Sequence, residues 1–205
     1  MPDDAGDWEG FEVDGLLYGY VALSNGKWQN VIVQKAAPLI TSLRTTDSVM
    51  NDELSEYAQE RAAKILWPHM ELLGHFHSHP HLDLRHRDLD PKNFDFSVDD
   101  KKVMAEDGRK IYIVATVCKK NRKDEWVSPC YPLECNDDYS VILFQMADLI
   151  VYIKASVHER SENGRTHAAR RGKVVIRCPL VMGSDNDPMI QLELQRRSYF
   201  VDFAP

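Results

Sequence analysis

The chain has 205 residues, 43% of them hydrophobic, which suits one domain, or one domain with an extension, around an ordinary core. Its formal charge of -7 argues against general nucleic-acid binding, and no apolar run approaches the ~18 residues that a membrane helix needs. The acidic opening Met1-Pro2-Asp3-Asp4 has no apolar core, so no signal peptide is expected, and the sparse, irregular Cys118, Cys130, Cys135 and Cys178 read as free thiols in a reducing, cytoplasmic setting.

After a polar lead-in, Leu16 to Leu23 is apolar and aromatic and reads as a strand. Ser24-Asn25-Gly26 is a hairpin turn signal, and Trp28 to Val33 is the returning strand. Glu12 sits at the entrance of the first strand; taken alone, it is an exposed acid. Asp52 to Leu66 has helical spacing, with Leu54, Tyr57, Ala58, Arg61, Ala62 and Ile65 recurring every three or four residues. Asn51 or Asp52 caps this helix and Pro68 ends it.

The apolar run Met70 to Leu73 leads into Gly74-His75-Phe76-His77-Ser78-His79-Pro80, read as the end of a buried strand. Alternation along a strand puts His77 and His79 on one face, about 7 Å apart. Two imidazoles at that spacing can grip one zinc ion. His75 shares the face and His81 lies just beyond, so spacing alone leaves the pair open. Pro80 lacks a backbone donor and is expected to end the ladder. A catalytic zinc site needs a third protein ligand, an open position and a nearby base, so a carboxylate has to come from elsewhere in the chain.

Residues 81–96 form a charged loop, a lid, a recognition element or a plain insertion. Ser97-Val98-Asp99-Asp100 is a helix start signal with Ser97 as cap. A carboxylate in that first turn is also well fixed for a metal. Lys101 to Glu106 makes a short helix, Asp107-Gly108 a turn, and Lys110 to Cys118 a β-branched buried strand. Loops follow over 119–139, with an edge strand around Trp126-Val127. Periodicity does not separate a helix from a strand pair over Ser140 to Val157; the reading favours a helix. Residues 158–172 are polar and basic with an Asn163-Gly164 turn, and Lys173 to Val181 and Met189 to Leu194 read as two late strands.

Taken together, Glu12 before a strand, the Gly74 to Pro80 run and Ser97-Val98-Asp99-Asp100 resemble the JAMM/MPN+ (JAB) zinc metalloprotease family, whose pattern is an upstream Glu, then His-Ser/Thr-His-Pro, then Ser-x-x-Asp. The resemblance covers roughly residues 11 to 118, with His75 where an aromatic is usual. The family leaves seven residues between the second histidine and the serine; here seventeen stand between, Pro80 to Phe96. At the usual spacing stand Arg87 and Asp90, so Asp90 rivals Asp100. Ser97 and the short distance from Asp100 to the strand at Ile111 favour Asp100.

The resemblance implies an α/β (α+β) fold, a cytidine-deaminase-like mixed sheet, curved and flanked by helices. It implies a JAB/MPN domain over 1–157 with a C-terminal extension, 158–205, packed on it. His77, His79 and Asp100 are then the Zn²⁺ ligands, Glu12 the general acid–base and Ser97 the oxyanion donor; Ser78 carries no assigned role. The implied activity is isopeptide or peptide hydrolysis that removes a ubiquitin-like protein from a conjugate or trims its C-terminus. A hydrolase acting on a sulfur-carrier tail or a small amide, and a non-catalytic MPN scaffold, are the other readings. The implied partner is a ubiquitin-like protein, with no nucleic acid or membrane, and a homodimer left open.

Overall fold

In chain order the elements are β1 (Asp14–Ser24), β2 (Lys27–Pro38), β3 (Thr41–Arg44), β4 (Val49–Asn51), helix α1 (Glu53–Leu66), β5 (Glu71–His81), a 3₁₀ turn Pro91–Phe94, helix α2 (Val98–Asp107), β6 (Ile111–Lys119), β7 (Tyr131–Pro132), β8 (Val141–Met146), β9 (Leu149–Arg160), β10 (Thr166–Ala168), β11 (Val174–Arg177) and β12 (Tyr199–Phe203). This computed structural model describes residues 12–24, 27–39, 41–44, 49–51, 53–81, 91–107, 109–119, 131–132, 140–146, 149–160, 166–168, 174–177 and 199–203. The fold is mixed α+β. One sheet runs in the order β11-β12-β2-β1-β5-β6-β9-β8-β7, with β10 paired to the end of β9, and β3–β4 form a separate small ribbon.

The centre of the sheet sets up the site. β1 and β5 are antiparallel, from Gly19 opposite Glu71 to Asp14 opposite His77. β5 and β6 are parallel, from Gly74 opposite Ile111 to His81 opposite Cys118. Parallel neighbours need a crossover, and α2 supplies it. Such a helix lies on one face of the sheet and starts near the carboxyl end of the first strand. The first turn of α2 is therefore brought to the end of β5 that carries the histidines.

Alternation splits β6 between two cores. Ile111 and Ile113 face a cluster with Leu17, Val31, Leu73, Ile142 and Val157, joined by Val174 and Ile176 of β11. Tyr112 and Val114 face the other way, onto Phe96 and Met104 under α2. The late strands thus join the sheet and core of the rest of the chain.

Four expectations need correction. Pro80 does not end the strand, because β5 pairs with β6 through His81. The Ser78 N–H donates to the Val13 carbonyl on the β1 side. Strand N–H groups alternate between edges, so Pro80 faces that same side, just beyond where the β1 ladder stops, and no ladder bond is lost. Second, residues 141–160 form the β8–β9 pair rather than a helix. The β-branched and aromatic Val141, Ile142, Val151, Tyr152, Ile153 and Val157 fit a sheet interior better than a helix surface.

Third, α1 has the expected span but turns a different face inward. Leu54, Tyr57 and Ile65 are exposed, and Ala63 is the buried residue, packed with Leu16, Tyr18, Ala37 and Leu39. Glu56 and Glu60 point instead at Arg109, just before β6, and an ion pair there outranks the apolar stripe in orienting the helix. Fourth, the short strands β3, β4, β7, β10 and β12 stand where the sequence reading has loops or no element. Asn25-Gly26, Trp126-Val127, Asn163-Gly164 and Met189 to Leu194 lie outside the described residues.

Gly74 sits where β5 shifts register against β1, and a Cβ there would collide with the Ile111 carbonyl oxygen of β6. Gly74→Ala is expected to cost more than about 2 kcal/mol in chemical denaturation, since the obstacle is backbone and cannot rotate away.

Candidate metal centre

His75, His77 and His79 project from one face of β5 into a cleft of about 670 Å³ between the sheet, α1 and α2. At one end, His77 Nε2 lies 3.0 Å from His79 Nε2. Asp100 Oδ2 approaches the same nitrogens at 3.4 Å and 3.7 Å. Two ligands bound to zinc at 2.0–2.1 Å with tetrahedral angles stand roughly 3.3–3.4 Å apart. The three separations bracket that value, so His77, His79 and Asp100 form a group able to hold a metal ion.

Asp100 is fixed by its helix. The Ser97 N–H donates to Asp100 Oδ2 at 2.7 Å, and the Asp100 N–H donates to Ser97 Oγ at 3.1 Å. This is a reciprocal capping box. Helix start and ligand position are the same feature, because the carboxylate that closes the first turn also faces the imidazoles. Aromatic anchors hold this turn to the sheet. Phe96 is buried 6.2 Å from the His77 ring, and Phe94 stacks on Tyr152 at 4.8 Å.

The electrostatics suit ligation. Burial works to raise the Asp100 carboxyl, but hydrogen bonding and attraction to His77, with the Ser97 bonds, outweigh it and hold it well below the ordinary range. Burial, and then the neighbouring His77, push the His79 imidazole down to about 4. At neutral pH, His79 is thus an uncharged imidazole, the form that ligates a metal.

Glu12 is buried, at 7% exposure, and lines the same cleft. Its position is set by its neighbour. The Val13 N–H donates to Ser78 Oγ at 2.9 Å, and the Ser78 N–H returns a 2.9 Å bond to the Val13 carbonyl. Ser78, to which no role was assigned, is the clasp that holds the Glu12 segment beside the histidines. Ser97 stands exposed on the cleft wall. Asp90, the rival carboxylate, lies outside the described residues, as do Cys130, Cys135 and Cys178. Cys118 is a free, buried thiol pushed up to about 11 by burial.

The far end of the cleft was not anticipated. There His75 stacks on Tyr112, with ring centres 6.4 Å apart. His75 Nδ1 is 3.9 Å from Asp14 Oδ1, and its Nε2 is 3.9 Å from Glu56 and 3.7 Å from Asp107. Arg109 binds Glu56 and Asp107, and the Tyr112 hydroxyl donates to Asp107 at 2.8 Å. Part of this was within reach of spacing rules: Asp14 lies two residues after Glu12, and Asp107 two turns after Asp100. Glu56 and Arg109 gave no local signal.

A scan against models of known protein families and a search of curated proteins return no match.

Two outcomes test the centre. The intact chain should bind about one divalent ion, and His77→Ala should lose it, as read by metal content of the purified protein with and without chelator. In the metal-free protein, the unfolded chain takes up a proton at His79 near its ordinary 6.5, whereas the folded chain does so only near 4. The unfolded state then binds more protons between those values, so stability rises with pH across that window and is flat above it. Urea unfolding at pH 5 and pH 7 should differ on the order of 1–2 kcal/mol, and His79→Gln should flatten the difference.

Proposed function

We propose that the protein is a zinc-dependent amide hydrolase of the JAMM/MPN+ type, cutting an isopeptide or peptide bond at the tail of a ubiquitin-like protein. The observation that carries the reading is the convergence of His77, His79 and Asp100 with the buried Glu12 in one cleft. A sheet with a parallel β5–α2–β6 crossover beside an antiparallel β1 is compatible with a JAB-like fold.

Two imidazoles and one carboxylate suit zinc and leave room for water and substrate. Zinc held there would supply a Lewis acid and lower the pKa of its water from 15.7 towards ~7. The chain's own groups do the rest. Glu12 takes the proton of the attacking water and returns it to the leaving amine. Low exposure keeps this carboxylate out of bulk solvent, and the Ser78 clasp keeps it in reach. The Ser97 hydroxyl accepts the Asp100 N–H and bonds the Asp100 carboxylate, so in this role it turns its O–H from that carboxylate to the developing oxyanion. His77 and His79 stay neutral as ligands.

Hydrolysis of a sulfur-carrier tail or a small amide uses the same centre and is separated by assaying a short carrier-tail peptide against a folded conjugate. A scaffold without activity is disfavoured by the proximity of all the required groups. Among the described residues, no helix is long and apolar enough to cross a membrane. A cytoplasmic setting is part of the same proposal, on the sparse cysteines of the sequence.

Glu12→Gln should retain zinc yet lower hydrolysis by roughly 10²–10⁴-fold, as measured with a fluorogenic tail peptide. Full activity in that variant would sink the assignment. Ser97→Ala should lower kcat by roughly 10²-fold and also cost ~1 kcal/mol of stability through the lost cap.

A further inference from the structure

The cleft has two ends, one step of alternation apart. His77 and His79 face Asp100 at the first; His75 faces Asp107, Glu56 and Asp14 at the second. The proposed chemistry uses only the first. The second end is not a repeat of the metal centre, because the carboxylates around His75 do not converge. Glu56 and Asp107 are drawn to Arg109, and among the described residues only His77, His79 and Asp100 have ligand atoms close enough to share an ion.

The distinctive group is Asp14. It is 5% exposed and lines the cleft. Among the described residues, no donor hydrogen-bonds its carboxylate. Its neighbour His75 Nδ1 stands 3.9 Å away, beyond hydrogen-bond range. Buried carboxylates are ordinarily hydrogen-bonded, and one whose only contact of opposite kind is a 3.9 Å approach of an imidazole, on the wall of an open cleft, marks a place for a donor from outside. The surroundings carry the same sign: among the described lining residues at this end, three carboxylates, Asp14, Glu56 and Asp107, meet one guanidinium, Arg109.

We propose that the end of the cleft around Asp14 and His75 is a specificity subsite for a cationic side chain, a lysine or arginine within one or two residues of the bond cut at the metal end. The proposal rests on the hydrolase reading for its direction, since Asp14 pairs across the sheet with the ligand His77. Side chains two apart on an extended substrate are about 7 Å apart, the separation between the His77 and His75 positions along β5. A substrate lying along the histidine row would thus place one residue at each end.

The test titrates the zinc-loaded 205-residue chain with acetyl-Gly-Lys-Gly-amide and with its isosteric norleucine counterpart, followed by heteronuclear NMR. The lysine peptide should bind about tenfold tighter and perturb Asp14 and His75. Asp14→Asn should bring the two peptides within about twofold, with zinc content unchanged. Equal binding of the two peptides by the wild-type chain, or a lysine preference that survives Asp14→Asn, overturns the proposal. The wild-type comparison decides the matter even if the variant does not fold. A lysine preference without hydrolysis of any amide would remove the hydrolase reading and leave the cation subsite; hydrolysis without the preference would do the reverse.

Discussion

A strand shows alternate side chains to one face, and β5 uses that constraint to line up His75, His77 and His79. Everything that makes the cleft is arranged around this row. β1 fixes one flank through the two bonds between Val13 and Ser78. β6 fixes the other flank through parallel pairing, and that pairing obliges the chain to cross over the histidine face. Asp100 arrives above His77 and His79 because it belongs to the first turn of the crossing helix. The donor set is therefore a product of connectivity before it is a product of local motif.

Charge plays the second organising part. α1 presents Glu56 and Glu60 to Arg109 and leaves Leu54, Tyr57 and Ile65 outside. Arg109 also holds Asp107, at the end of α2, and Asp107 accepts from Tyr112. One partly buried guanidinium thus ties both helices to the sheet. Burial works to lower its pKa, but Asp107 and Glu56 overcome this and raise it, so it stays charged in that role.

Much of this was legible in the sequence where the signal was local. The hairpin of β1 and β2, the span of α1, the histidine strand and β6 follow from alternation, turn residues and helical spacing. The preference for Asp100 over Asp90 rests on the resemblance, which sets a serine before the carboxylate and a short helix before the strand at Ile111, and Asp90 lies outside the described residues. What was not legible depends on partners distant in the chain. The inward face of α1 depends on Arg109, some fifty residues on, and no periodicity records that. The β8–β9 pair is apolar on both faces, so its period is hidden and length misleads. Pro80 was read as a stop because its free edge becomes evident only once β1 is known to end at that point.

The Ser97–Asp100 box has a thermodynamic corollary. One carboxylate oxygen both closes the opening turn of α2 and faces the imidazole pair. Any cation drawn to that oxygen also bears on the turn, and by linkage the fraying of that turn bears equally on cation affinity. With an ion held there, chelation would be a mechanical perturbation as well as a chemical one, loosening the segment that Phe94 and Phe96 anchor at the mouth of the cleft.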